Sequence, residues 1–328
     1  MKVIEVENLQ KTYRYYRKSS GLMASICNLW QRQWEYKTIV NDISFSVARG
    51  EAVAFLGPNG AGKTTTMKML SGILHPSAGE ATVLGHTPWL REKAFKQRFA
   101  ILMGQKQQLW PDLPAGDSFE LCRHIYEIPQ QIYRQRVAEL SELLAISHLL
   151  DIQVRRLSLG ERMKMELIAA LLHGPELLFL DEPTIGLDFE AQRAINSFLK
   201  KQVAEQQLTV ILTSHNMADI TSLCERVIVI QNGGLIFDDA ISNLQPQLGA
   251  CRRIQIESEQ PMQRDVLSQL GQVLAFQTYC AEIEVMEYEV NSVLQRLLRY
   301  VDVKDIKVMA QPLELSLQQL YLNARKIA

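Results

Sequence analysis

Gly57-Pro58-Asn59-Gly60-Ala61-Gly62-Lys63-Thr64-Thr65 follows the apolar run Val53–Leu56 and opens a stretch where Met67, Leu70 and Leu74 recur at helical spacing. The pattern GxxxxGK[ST] between a strand and a helix is a phosphate-cradling loop, and each part has a physical reason. Glycines let consecutive backbone N–H groups turn inward as a nest, and the helix N-terminus adds partial positive charge. Lys63 is placed to bridge β- and γ-phosphates, and the Thr64 hydroxyl to hold Mg²⁺. A glycine-rich turn without ligand is the competing reading, which the flanking strand and helix disfavour.

The complementary half lies at Leu177-Leu178-Phe179-Leu180-Asp181-Glu182-Pro183-Thr184. Four apolar residues predict a buried parallel strand, which delivers the residues at its carboxyl end to the ligand crevice. Asp181 is expected to bind Mg²⁺, directly or through water. Glu182 is expected to accept a proton from, or orient, the water that attacks the γ-phosphate. Two acids after a strand also suit a solvated turn; the upstream phosphate loop tips the reading toward chemistry.

Outward from these two segments, β-branched runs at Val3–Val6, Ile43–Val47 and Glu51–Leu56 alternate with helical patterns, and Glu80–Leu84 reads as a further strand. Asp117 to Leu150 reads as helix broken only at Pro129. Strand-like runs follow at Leu177–Leu180, Thr209–Leu212 and Arg226–Ile230. The order predicts an α/β domain over 1–243 with an inserted helical subdomain at about 112–165. Past Asn243–Gly249 the pattern over 244–328 becomes βαββαβ with a closing helix, the signature of a small ferredoxin-like α+β domain. Lys plus Arg number 35 against 36 Asp plus Glu. That near-neutral balance speaks against a nucleic acid as main partner, which would need clustered surplus cations. Five scattered cysteines form no CxxC and read as reduced, packed thiols. The N-terminus reads as a strand and not as a signal peptide, and no run reaches the roughly 18 apolar residues of a membrane span. A membrane part would have to come from another chain.

Further motifs stand in order around the two halves. Leu157-Ser158-Leu159-Gly160-Glu161 resembles the ABC (ATP-binding cassette) signature LSGGQ. Gln105 resembles the Q-loop glutamine and Gly186-Leu187-Asp188 the D-loop. His215 in Thr-Ser-His-Asn resembles the switch histidine, and Tyr13 the aromatic that stacks on adenine. The resemblance covers about 1–243 and identifies the chain with the ATP-hydrolysing subunits of ABC transporters. It implies a P-loop NTPase (RecA-like) core with an antiparallel β edge, ATP and Mg²⁺ as ligands, and Gln105 joining Thr64 and Asp181 at the metal. Glu182, Gln105 and His215 are implied as catalytic residues. Ser158 and Gly160 are implied to reach the γ-phosphate on an opposing cassette, and Asp188 is implied among the nucleotide-binding residues. Leu159 in place of glycine and Glu161 in place of glutamine depart from the pattern. A carboxylate there is unfavourable toward phosphate unless it points away.

The implied partners are a transmembrane permease and a second cassette, as homodimer or heterodimer, at the cytoplasmic face of the inner membrane, with export as the implied direction. The rival is a soluble ABC ATPase acting on ribosome or DNA. Against it stand a single cassette in place of two, and no coiled coil between the nucleotide motifs. One segment exceeds what a cassette needs. Over about 17–38, Leu22, Met23, Ile26, Leu29, Trp30, Trp34 and Tyr36 share one face at 100° per residue, which predicts an amphipathic helix. Packing on the cassette's own sheet and contact with lipid or a membrane subunit are the two readings of that face.

Overall fold

The computed structural model describes residues 1–16, 34–104, 107–244 and 251–327, with residues 325–327 described by backbone alone. Strands β1 (Lys2–Tyr16) and β2 (Trp34–Ala48) form a long antiparallel ribbon, with Val6 opposite Phe45 and Tyr16 opposite Trp34. The sequence predicts only short segments of these strands, and it predicts a helix at Trp34 and Tyr36, which the structure corrects. Both lie in β2, facing Tyr16 and Arg14 across the ladder. Residues two apart share a face in a strand as well as residues four apart do in a helix, and cross-strand pairing decides between them. The Arg14 guanidinium lies 3.5 Å from the Trp34 ring centroid, and Tyr16 meets that ring edge-on. The rest of the proposed amphipathic face, residues 17–33, lies outside the described residues.

β3 (Ala52–Leu56) is buried at every position, as expected of a parallel strand covered on both faces. Helix α1 (Lys63–Leu70) follows it, and β4 (Ala78–Val83) pairs with β1. The helix predicted to Leu74 ends four residues sooner, because Gly72 takes φ +71° where a Cβ would lie 2.2 Å from the Pro88 carbonyl oxygen. A short helix α2 (Lys93–Lys96) leads into β5 (Phe99–Met103). The helical subdomain holds α3 (Ala115–Ile125) and α4 (Gln130–Leu143), and α5 (Leu159–Leu171) runs back toward β6 (Leu177–Asp181). Then come α6 (Phe189–Gln206), β7 (Thr209–Thr213), α7 (Met217–Leu223), β8 (Arg226–Gln231) and β9 (Gly234–Ala240).

The central sheet has the order β5-β6-β7-β3-β8-β9, and its pairings from β5 to β8 are parallel. The antiparallel sheet β2-β1-β4 packs over it around a shared core of Ile4, Val6, Phe45, Phe55, Met67, Phe179 and Ile228. Because β3 and β6 are parallel and separated only by β7, their carboxyl ends open on the same edge. That shared edge brings the two nucleotide motifs together.

The chain divides into compact units at Met1–Asp239 and Ala240–Ala328. The second holds β10 (Cys251–Ser258), α8 (Arg264–Ser268), β11 (Gln272–Phe276), β12 (Cys280–Met286), α9 (Val290–Tyr300), β13 (Val303–Ala310) and α10 (Leu313–Ile327). Its sheet runs β11-β12-β10-β13, antiparallel throughout, which is the ferredoxin-like arrangement of βαββαβ. Ile254, Ile256, Leu267, Ile283, Val293 and Leu297 form a core of its own.

Candidate active site

The loop from Gly57 to Gly62 is shaped for an anion by what its glycines lack. A Cβ on Gly57 would lie 2.3 Å from the Ile230 carbonyl oxygen, and one on Gly62, at φ +110°, would lie 2.8 Å from that of Ile39. A Cβ on Gly60, at φ +82°, would meet nothing within 4 Å, so that position faces open space. Pro58 and Asn59 carry the loop between them, and the Ala61 N–H closes it on the Pro58 carbonyl at 3.1 Å. Lys63 is 8% exposed and folds back, its ammonium donating to the carbonyls of Gly57 (2.6 Å) and Pro58 (3.3 Å). Burial draws its pKa below the ordinary lysine value, against the pull of the Glu182 and Asp181 carboxylates. A polyanion beside Lys63 would restore the cation's preference, so the cradle fits a phosphate chain.

Asp181 and Glu182 stand at the end of β6. Asp181 accepts from the hydroxyls of Thr64 (2.9 Å) and Thr213 (2.7 Å), which ties the start of α1 to the ends of β6 and β7. Glu182 has a left-handed backbone, φ +54°, uncommon for a residue with a side chain. Its N–H is held by the Thr213 carbonyl (3.0 Å) and hydroxyl (3.1 Å). His215 Nε2 lies 2.9 Å from Glu182 Oε1. Two residues 33 positions apart in sequence thus meet at the crevice. Thr65 sits in the first turn of α1, beside Thr64. Tyr13 is 40% exposed on β1, opposite Lys37, with the Lys11 ammonium 5.4 Å from its ring centroid. Gln105 lies outside the described residues; its neighbour Gly104 donates to the Asp181 carbonyl at 2.9 Å.

Ser158 caps α5 in a capping box. Its hydroxyl accepts from the Glu161 N–H (3.3 Å), and the Glu161 carboxylate accepts from the Ser158 N–H (2.8 Å). The Ser158 N–H, and after it the Ser158 hydroxyl, hold the Glu161 carboxyl below the usual carboxylate range. The unusual glutamate is therefore turned back on its own helix. Leu159, the other departure, packs over the turn at Gly186: its Cδ2 lies 3.2 Å from where a Cβ of Gly186 would be. A Cβ on Gly160 would sit 2.8 Å from that of Ala191, so this glycine lets α5 approach α6 closely. Asp188 caps α6, accepting from the Ala191 N–H at 2.8 Å.

The sequence reading missed three groups. Thr213 was quoted only as a neighbour of His215, though a hydroxyl closing a buried strand beside the acidic strand end was a usable signal. Glu166 is buried and accepts from the N–H groups of Gln108 and Leu109, joining α5 to the segment that follows Gln105. Burial raises its pKa, with those N–H bonds opposing. Asp219, buried in α7, is the third.

A glycine cradle at a helix start, set against an acid-tipped parallel strand, defines a nucleoside triphosphatase of the phosphate-loop class. The ABC transporter family model matches residues 40–185, and the model of an EvrA-like ABC transporter C-terminal domain matches 250–309. An uncharacterized ABC transporter ATP-binding protein of Bacillus subtilis, YhcH, is 32% identical over 85% of this chain and 89% of its own length. The Nod factor export ATP-binding protein I of Burkholderia orbicola is 35% identical over 73% of this chain and 78% of its own. The linearmycin resistance ATP-binding protein LnrL of B. subtilis is 36% identical over 67% and 70%. The solved structure of an ATP-binding subunit of an ABC transporter superposes with a TM-score of 0.63 at 25% identity, covering 75% of this chain and 93% of that one. A dimeric cassette bound to ADP and Pi, at 22% identity, shares the fold with a TM-score of 0.60 over 72% and 98%. The chain belongs to the ATP-binding proteins of ABC transporters, and its activity is ATP hydrolysis.

Proposed function

We propose that this subunit binds Mg·ATP between two cassettes and uses its hydrolysis to power a separate membrane permease for export. The observation that carries the reading is the convergence at the sheet edge of Lys63, Thr64, Asp181, Glu182 and His215. Backbone N–H groups of residues 59–62 and the Lys63 ammonium bind the phosphates, and Tyr13 stacks on the base. Thr64 and Asp181, already paired through oxygen, hold the Mg²⁺ together with Gln105; the ion, when bound, neutralises phosphate charge. Glu182 takes the proton of the attacking water, and His215 keeps that carboxylate oriented. Ser158 and Gly160 meet the phosphate on the opposing cassette. The backward turn of Glu161 supports this, because its charge is spent on the Ser158 amide.

No described helix is long and apolar enough to cross a membrane, so the membrane path belongs to a partner at whose cytoplasmic face this subunit sits. Export follows from similarity to the Nod factor export protein, and similarity to transporter subunits favours this over a ribosome- or DNA-acting ATPase. The test is Glu182→Gln, which keeps shape and removes the base. It should bind ATP normally and lose turnover by about a hundredfold or more. The same variant should form an ATP-dependent dimer in light scattering, alone or with its partner cassette, and Ser158→Arg should abolish that dimer. Wild-type turnover, or a dimer indifferent to Ser158→Arg, refutes the corresponding role.

A further inference from the structure

Asp219 is 1% exposed, near the start of α7, and lies outside every nucleotide motif. It is surrounded by donors from three different segments. The Thr184 hydroxyl donates to Oδ2 at 2.5 Å and the Ser214 hydroxyl to the same oxygen at 3.2 Å. The Asn196 amide, from α6, donates to Oδ1 at 2.7 Å. Thr184 is two residues past Glu182, and Ser214 is the residue before His215. One carboxylate therefore grips both turns that carry the Glu182–His215 pair.

A second layer tightens the same junction. Asn216 donates its N–H to Ser214 Oγ (3.0 Å) and its amide to Gln192 Oε1 (3.2 Å). Gln192 in turn donates to the carbonyls of Leu187 (3.1 Å) and Thr184 (3.4 Å). The Glu182 backbone needs such support. Its left-handed conformation is unfavourable for a residue with a Cβ, and persists only where the surroundings over-determine it. Upstream, Thr213 holds the Glu182 N–H; downstream, the first side-chain anchor is Thr184 on Asp219.

We propose that Asp219 is a positioning residue for ATP hydrolysis: through Thr184 and Ser214 it locks the Glu182 turn and the His215 turn to each other and to α6. A carboxylate suits the place because it accepts all three donors and brings none of its own. An asparagine there would satisfy the two hydroxyls with its oxygen and turn its NH₂ against the NH₂ of Asn196. A reciprocal exchange, Asp219→Asn with Asn196→Asp, restores a donor–acceptor match at that contact. This inference rests on Glu182 and His215 acting as proposed above, and its test keeps the two separable.

Full-length protein is assayed for steady-state ATPase, equilibrium binding of a fluorescent ATP analogue, and thermal melting. Asp219→Asn should lower kcat by about tenfold or more while KM and analogue affinity stay within about threefold, because the phosphate cradle is untouched. The exchange with Asn196→Asp should recover most of the kcat. Thr184→Val and Ser214→Ala each remove one donor from a carboxylate that keeps the others. They should lower kcat severalfold at unchanged KM, and they serve as the test if Asp219→Asn does not fold. In a Glu182→Gln background, Asp219→Asn should cost less than about twofold more of the residual single-turnover rate, since the base that both turns serve is gone. Wild-type kcat in the Asp219, Thr184 and Ser214 variants overturns the inference, as does a full, independent loss in the Glu182→Gln background. Glu182→Gln runs alongside: if it retains activity, the reading of the catalytic pair fails, whereas its expected loss beside normal Asp219 variants sinks this inference alone.

Discussion

At His173, one imidazole shows how burial sets a protonation state outside the nucleotide site. The ring stacks on Tyr126 with centroids 4.0 Å apart, and Nε2 donates to the Phe99 carbonyl at 3.1 Å. Burial pushes its pKa down to about 4 from an ordinary 6.5; the Phe99 bond opposes this and Arg136 adds to it. The folded state therefore holds the neutral ring while the unfolded chain protonates below pH 6.5. Its stabilisation is complete above that value and is lost as pH falls toward 4. Wild-type protein should lose about 2 kcal/mol more between pH 7.5 and 5 than His173→Gln does, by urea unfolding. Parallel stability curves for the two proteins would refute it. His173 carried no motif signal, because its environment is assembled from Phe99 and Tyr126, far from it in sequence.

Between elements, the close approach of α5 to α6 turns on a single missing side chain. Gly160 lies where an added Cβ would press on Ala191 at 2.8 Å, and both atoms would be fixed to backbone. Gly160→Ala should destabilise the cassette by about 1–3 kcal/mol through overpacking, and Ala191→Gly in the same chain should return much of that loss. Denaturation midpoints of the two single variants and the double variant measure the coupling. The capping box of α5 is a local pattern, Ser158 with Glu161 three residues on, but at the sequence level Glu161 is weighed only against phosphate. The packing of Leu159 over Gly186 is not a local pattern, because nothing near either residue names the other.

On the scale of the whole molecule, the chain carries two compact units with separate cores. Separate cores predict separate responses to damage. Leu297, fully buried in the second unit, can be cut to alanine at a cost of about 2–5 kcal/mol to that unit. Calorimetry should show a lower-melting transition in Leu297→Ala beside one that keeps the wild-type temperature, and basal ATPase should survive. A single transition shifted as a whole would mean that the units unfold together.

The sequence by itself determined the chemistry and the layering of this protein. A glycine loop between strand and helix, an apolar run ending in Asp181-Glu182, and the βαββαβ order of the tail each depend on neighbours within a few residues, where periodicity and backbone preference act. Strand order, and which side chains meet, belonged to the tertiary structure. β7 lies between β3 and β6, so Thr213 could reach Asp181 and His215 could reach Glu182 only after the parallel sheet had formed. The same holds for Trp34 and Tyr36, which stand at opposite edges of the proposed helix face but two apart on one strand face once β1 supplies the partner. Local pattern limits what each segment can become, and long-range hydrogen bonds and core packing select among those forms, because their energies depend on contacts no single segment contains.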